Sequence, residues 1–235
     1  MNLRDVFFQK KDGFLAQCWN NHTSKSPFVG KAIVYHHVTN DDLKEKPSCV
    51  CSIDVFKQTL ETLEKEGYTF VSLNKMMEII DSREAGKYIV ITFDDVPSDV
   101  YENAYPILRK KQIPFALFVS NKYIGQDGFL SEEQIVELSN DPLCTIGAHT
   151  MTHPVLRNVT NSWEELHDSK TSLERLINKN VDFLAYPYGR HSSVSYKVRK
   201  QAKRAGFKSA FSTISAVINS KSAKSRFFLP RVVIN

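Results

Sequence analysis

Short apolar runs recur along this chain, separated by stretches with helical signals. AIVYHHV (32–38), TFVSL (69–73), YIVITF (88–93), PFALFVS (114–120), LCTIGAH (143–149) and VDFLAYP (181–187) read as strands, and FKSAF and FFLPRVVI as the last two. Between them the pattern predicts helices over 54–66 (capped by Asp54 and stopped by Gly67), 75–80, 99–111, 131–139, 162–178 and 192–205. Ser162-Trp163-Glu164-Glu165 has the spacing of a capping box. Strands that alternate with helices predict a parallel α/β sheet, open or closed into a barrel. In such folds functional side chains gather where strands end and loops begin.

The length, 235 residues with 42% hydrophobic side chains, suits one domain with a sizeable core, and no Pro/Gly/Ser-rich tract divides it. The opening MNLRDVFFQKKDGF has no long apolar run, so neither a signal peptide nor a transmembrane segment is expected, and the expected location is cytoplasmic. Cys18, Cys49, Cys51 and Cys144 lack zinc-finger spacing and are expected as reduced thiols. Charge is unevenly spread. Residues 180–235 carry 11 of the 31 Lys and Arg side chains and one of the 26 acids, Asp182. Such a basic end suits phosphates or anionic sugars, or is simply a solvated face; without a recognised binding motif, no nucleic-acid partner is expected.

The strand YIVITF ends on Asp94 and Asp95. Two adjacent carboxylates repel and are costly to bury unpaired, and a bound cation relieves that cost. Neighbouring side chains on an extended chain point opposite ways, so one acid can ligate a metal while the other acts as a base. The competing reading is a solvated loop, or a cap for the helix near Asp99. A second strand end reads GAHTMTHP. His149 and His153 stand four apart and can face one ion if the segment turns helically, with an Asp completing a facial triad. A third, AYPYGR, is a turn that can present a backbone N–H at a cleft. A fourth, Tyr35-His36-His37-Val38, can offer one imidazole to it.

Together these segments resemble the polysaccharide deacetylases of carbohydrate esterase family 4. TFDD resembles the family's first motif and HTMTHP its H-[ST]-x-x-H metal motif, while ENAYPILRKKQIPFALFV, AYPYG and LPRVV extend the likeness from residue 31 to the end. The resemblance implies a distorted (β/α) barrel over residues 31–235, preceded by an N-terminal extension, 1–30. It implies metal-dependent removal of acetyl groups from an amino sugar or glycan precursor. By position, Asp94 is then the general base, and Asp95, His149 and His153 ligate a divalent metal, expected to be Zn²⁺. The backbone N–H of Tyr188 helps hold the oxyanion. The usual acid histidine of a C-terminal motif is missing, because no histidine follows His191. Members with permuted motifs, resembling poly-N-acetylglucosamine deacetylases, carry it near the N-terminus in a YH context, which selects His36, with His37 as fallback.

The chain departs from the common pattern elsewhere. Ala185 stands where many members have an arginine that braces the base, with Arg231 and Arg190 as candidate substitutes. Val96 replaces the glycine usual after TFDD, and the Asp-Trp pair of the fourth motif is absent. The missing arginine and fourth motif leave an inactive carbohydrate-binding relative as a competing class, and two histidines with a carboxylate also suit a non-haem Fe(II) oxygenase, whose ligand order is usually different. A phosphate-bearing, nucleotide- or lipid-linked sugar would suit the basic end.

Overall fold

The computed structural model describes residues 26–40 and 49–234. The expected extension over residues 1–30 therefore lies outside the described residues except for its last five, and Cys18 lies outside them too. The strand β5 (Gly86–Asp94) organises the rest, because three other strands pair with it. β1 (Phe28–Tyr35) lies along one side in register from Phe28↔Gly86 to Tyr35↔Phe93. On the other side β4 (Thr69–Phe70) pairs with the start of β5, and β6 (Phe115–Val119) with its end. β7 (Cys144–Ala148), β8 (Phe183–Ala185) and β9 (Ser209–Phe211) continue the sheet outward, every pairing parallel. A separate parallel pair joins β2 (His37–Val38) to β3 (Val50–Cys51).

The sheet curls until its margins meet across one short segment. Leu229 exchanges backbone hydrogen bonds with β9, donating to Ala210 and accepting from Ser212. Three residues on, β10 (Val232–Val233) pairs with Ile33 and Val34 of β1. The expected barrel is therefore present, closed by residues 229–234. The strand expected from FFLPRVVI is correspondingly shorter: Ser222–Phe228 winds as a 3-10 segment, and Pro230 has no N–H to donate to a ladder.

Period two sorts β5 and β6 between two apolar clusters. Ile89, Ile91, Phe93, Phe115 and Leu117 pack outward beneath helices, while Val90, Ala116 and Phe118 face the barrel interior with Phe183 and Phe211. Thr92 and Asp94 continue the inward row, which is why a strand of apolar residues can deliver a carboxylate to the barrel. Gly147 of β7 keeps that interior open to Phe118: a Cβ there would sit 2.6 Å from the Phe118 ring.

Helices cover the outside and one end. α1 (Ile53–Lys65) buries Phe56, Leu60 and Leu63, with Phe56 meeting Tyr35 edge-on at 5.1 Å. Its cap is Ser52 rather than the expected Asp54, since the Ser52 hydroxyl accepts from Val55 N–H. α2 (Leu73–Ser82) sends Met76, Met77, Ile79 and Ile80 into the interior cluster and so plugs the barrel. α3 (Tyr105–Lys111) follows a π-helical turn, Val100–Ala104, where one continuous helix was expected. α4 (Glu132–Asn140), α5 (Ser162–Ile177) and α6 (Tyr196–Arg204) complete the shell. No helix among the described residues is long and apolar enough to cross a membrane.

Lys31 is an exception on an apolar strand: it is buried, with its ammonium 4.7 Å from the centre of the Tyr68 ring. Burial pushes this ammonium down to about 7, against the pull of Glu66 and with help from Lys87. Between pH 7 and 10 the unfolded chain then binds more protons at this lysine than the folded one, so folding stability rises with pH there. Lys31→Met is expected to flatten that rise in urea-unfolding curves taken from pH 7 to 10.

Candidate active site

Asp94 is the last residue of β5 and is 2% exposed. Both its oxygens are taken by one guanidinium. Arg231 donates from Nη1 to Oδ1 and from Nη2 to Oδ2, each at 2.6 Å. The same Arg231 donates to Thr92 Oγ1 at 3.2 Å and to Ser212 O at 3.1 Å, and its guanidinium lies 5.2 Å from the centre of the Phe118 ring. Of the two arginines weighed as a brace for Asp94, Arg231 makes the pair and Arg190 is exposed. Burial raises the Asp94 pKa, but Arg231 foremost, with His149 and His36, holds the carboxyl down to about 2. It is a carboxylate at every ordinary pH.

Asp95 follows in a left-handed conformation, φ 60°, and so does Val96. That is a strained backbone for a β-branched residue and the one that glycine adopts freely. Val96 nevertheless buries its side chain in the outer core, 1% exposed. The reversal turns the Asp95 carboxylate toward His149 and His153 instead of along the strand.

His149 comes directly after β7. Its Nδ1 lies 2.8 Å from the carbonyl oxygen of Ala185, which can only accept, so the proton sits on Nδ1 and Nε2 presents a lone pair. That Nε2 is 3.7 Å from Asp95 Oδ1, and His153 Nε2 is 3.3 Å from the same oxygen. Burial leads in lowering the pKa of both imidazoles. The segment between them does not turn helically, the condition under which the spacing would let both face one ion. It bends, with Thr150 at φ 70° and His153 at φ 58°. Two contacts hold the bend: Thr150 Oγ1 accepts from His153 N–H, and Glu165 accepts from both the backbone and the hydroxyl of Thr152. This diverts Glu165 from the expected capping box. Ser162 likewise donates to Gln201, and the helix is capped at Asn161 without a side-chain bond.

Asp95, His149 and His153 thus bring three ligand atoms within 4.8 Å of one another. Asp95 Oδ1 is buried without a hydrogen-bond donor, and burial pushes the Asp95 carboxyl upward. His149, with its proton on Nδ1, turns a lone pair toward it. A divalent cation fits this set, and the spacing suits a tetrahedral ion with ligands ~2.0–2.2 Å away.

His36 occupies the bend after β1 and lines the same cleft, of about 970 Å³, as the two aspartates, His149 and His153. Burial lowers its pKa, but a hydrogen bond with Cys49 and the charges of Asp94 and Asp95 outweigh this and leave it raised. His37 also reaches the cleft, but its Nδ1 lies 2.6 Å from Asp99. Tyr188 is at the rim, 52% exposed, with its ring 5.1 Å from that of His153. Its backbone is left-handed, φ 61°, and its N–H has no protein acceptor among the described residues. Sequence reasoning missed Asp99, Cys49 and the Tyr123 ring, 5.9 Å from His153; the first was visible only as a helix-start signal. Nor did it single out Arg231 over Arg190.

Removing one partner of a buried ion pair strands the other charge. Arg231→Met is expected to lower stability by about 3–5 kcal/mol in urea unfolding at pH 7, and adding Asp94→Asn to restore a large part of it. A depressed carboxylate pKa stabilises the fold above the unfolded value and loses that contribution as pH falls toward 2, so the wild type's advantage over the double variant should shrink below pH 4.

The chain is similar to several known proteins over most of its length. A sequence model of the family described as polysaccharide deacetylase matches residues 81–210. A poly-β-1,6-N-acetyl-D-glucosamine N-deacetylase of Staphylococcus aureus is 26% identical over 211 residues, 82% of this chain and 70% of that protein. The Streptococcus pyogenes deacetylase PplD, solved with acetate, superposes with a TM-score of 0.78 at 26% identity, covering 87% of this chain and 91% of its own. IcaB from Ammonifex degensii gives a TM-score of 0.78 at 26% identity, covering 88% and 92%. With the parallel barrel and the TFDD and HTMTH strand ends in place, the chain belongs to the polysaccharide deacetylase family.

Proposed function

We propose that this protein removes the acetyl group from an N-acetylglucosamine-containing glycan or glycan precursor, using a divalent metal held by Asp95, His149 and His153. The carrying observation is the buried Asp95 oxygen, without a donor among the described residues, facing the Nε2 atoms of His149 and His153 beside a second carboxylate. The amino-sugar substrate follows the poly-β-1,6-N-acetyl-D-glucosamine N-deacetylase relatives. The domain responsible is taken as residues 31–235.

A divalent cation, Zn²⁺ as the first choice, supplies Lewis acidity toward the acetyl carbonyl and acidifies water. That chemistry matters because a carboxylate held at about 2 is a feeble base toward ordinary water. Asp94 accepts the water proton on an oxygen that Arg231 keeps oriented toward the cleft. The Tyr188 N–H is uncommitted among the described residues and can donate to the oxyanion as the carbonyl becomes tetrahedral. His36, whose raised pKa favours the imidazolium, gives its proton to the departing amine. Tyr123, Phe129 and Tyr188 line the cleft with aromatic faces suited to sugar rings, and Arg190 places a cation on the rim where a phosphate-bearing sugar would meet it.

An inactive binding relative is the less favoured reading. Its support in the sequence was the missing brace at Ala185 and the missing fourth motif, and Arg231 answers the first by making that contact from elsewhere.

Elemental analysis of the purified protein is expected to find about one divalent ion per chain. His153→Ala should lose most of it; a wild type that neither contains nor takes up zinc, cobalt or nickel defeats the proposal. Acetate release from β-1,6-linked N-acetylglucosamine oligomers is expected from the metal-loaded protein. Asp94→Asn should lower kcat by about 10²–10⁴-fold while leaving the metal in place.

A further inference from the structure

The carboxylate of Asp99 stands at the start of a helical segment but makes no capping bond there. Capping typically stabilises a helix by about 1 kcal/mol, so an acid that forgoes it is engaged elsewhere. Asp99 Oδ2 lies 2.6 Å from His37 Nδ1, and Oδ1 accepts from Val38 N–H at 3.0 Å. One turn later, Asn103 Nδ2 donates to Val38 O at 2.9 Å. The residues grasped are those immediately after His36. On their other edge β3 holds the same segment, with His37 N–H bonded to Cys49 O and Thr39 N–H to Cys51 O.

The π-helical turn brings this about. Val100–Ala104 carries Asp99 and Asn103 against β2, only four residues beyond Asp95. Turns of this kind gather at functional sites, where one extra residue re-aims neighbouring side chains. A single stretch, residues 94–103, therefore carries Asp94 and Asp95 into the cleft and also grips the bend that aims His36.

We infer that Asp99 and Asn103 are positioning residues for His36, and that His37 serves as the handle by which Asp99 holds the bend. This rests on the reading of His36 as the proton donor. Asp99 touches no reacting atom. A histidine displaced by about 1 Å loses on the order of 10²-fold in rate, with ground-state binding nearly unchanged.

Amide hydrogen exchange across residues 35–40 tests the grip without any substrate. Asp99→Ala is expected to accelerate exchange at Val38, and unchanged protection overturns the inference. With whichever N-acetylglucosamine oligomer the zinc-loaded wild type turns over, Asp99→Ala and Asn103→Ala should lower kcat by about 10–10²-fold, with KM within about 3-fold and bound zinc unchanged. Asp99→Asn, which keeps an acceptor for Val38 N–H, should lose less than about 5-fold. In a His36→Ala background Asp99→Ala should cost less than about 3-fold more, because its effect passes through the missing imidazole. A full additional loss in that background would make Asp99 a general prop and overturn the inference. Retained activity in His36→Ala alone defeats the proton-donor reading instead, and loss there with Asp99→Ala unimpaired defeats only the positioning role.

Discussion

The pairing of Arg231 with Asp94 is the interaction on which the rest of the site depends. It is a fully buried ion pair joined by two short hydrogen bonds, at the point where the barrel seam meets its functional rim. Desolvating both charges is costly, and only good geometry with the remaining donors satisfied offsets it. Here the offset is visible: Thr92 and Ser212 take further guanidinium protons, and the Phe118 ring lies against the cation. The inward row of β5 then reads as one design, from Val90 in the apolar interior, through Thr92, to Asp94 at the cleft.

Around that pair, charge is separated by geometry. Asp94 has a donor on each oxygen and stays ionised, whereas Asp95, one residue away, has an oxygen with none among the described residues. The left-handed turn at Asp95 and Val96 makes the difference, because an extended chain would have sent the second carboxylate away from His149 and His153. The His149 tautomer is fixed in the same spirit: the Ala185 carbonyl claims Nδ1, leaving Nε2 for the cleft. Ala185 thus contributes its backbone at a position where the family resemblance had suggested an arginine side chain.

Much of this was legible in the sequence because it rests on local pattern. Apolar β-branched runs are buried strands wherever they occur, and strands interrupted by helices leave few topologies other than a parallel sheet. The acidic pair and the histidine pair were visible as polar residues at apolar strand ends. What escaped depends on tertiary partners. Glu165 satisfies every local rule for a capping box, yet Thr152 claims it from a loop 13 residues earlier. Asp99 looked like a helix start, and its bonds go 61 and 62 residues back to Val38 and His37. A helical turn through the HTMTH segment was the one route considered for bringing His149 and His153 to one ion. Positive-φ bends at Thr150 and His153 reach the same end by a route that no propensity scale marks. Nothing local distinguishes Arg231 from Arg190, since both follow turn-like stretches.

The closing segment has a consequence for the order in which the molecule becomes itself. Asp94 and Arg231 are 137 residues apart in the chain, and Leu229 and Val232 flank the arginine with the two contacts that shut the seam. During synthesis from the N-terminus, β5 and Asp94 emerge long before the arginine that pairs with Asp94. Such non-local pairings are slow to form, because loop-closure entropy must be overcome before any contact rewards it. A nascent chain with most of its strands made would still have an open barrel and an unpaired acid at its rim. Closing the barrel and pairing Asp94 are therefore a single event: the segment that shuts the seam, residues 229–234, is also the one that supplies Arg231.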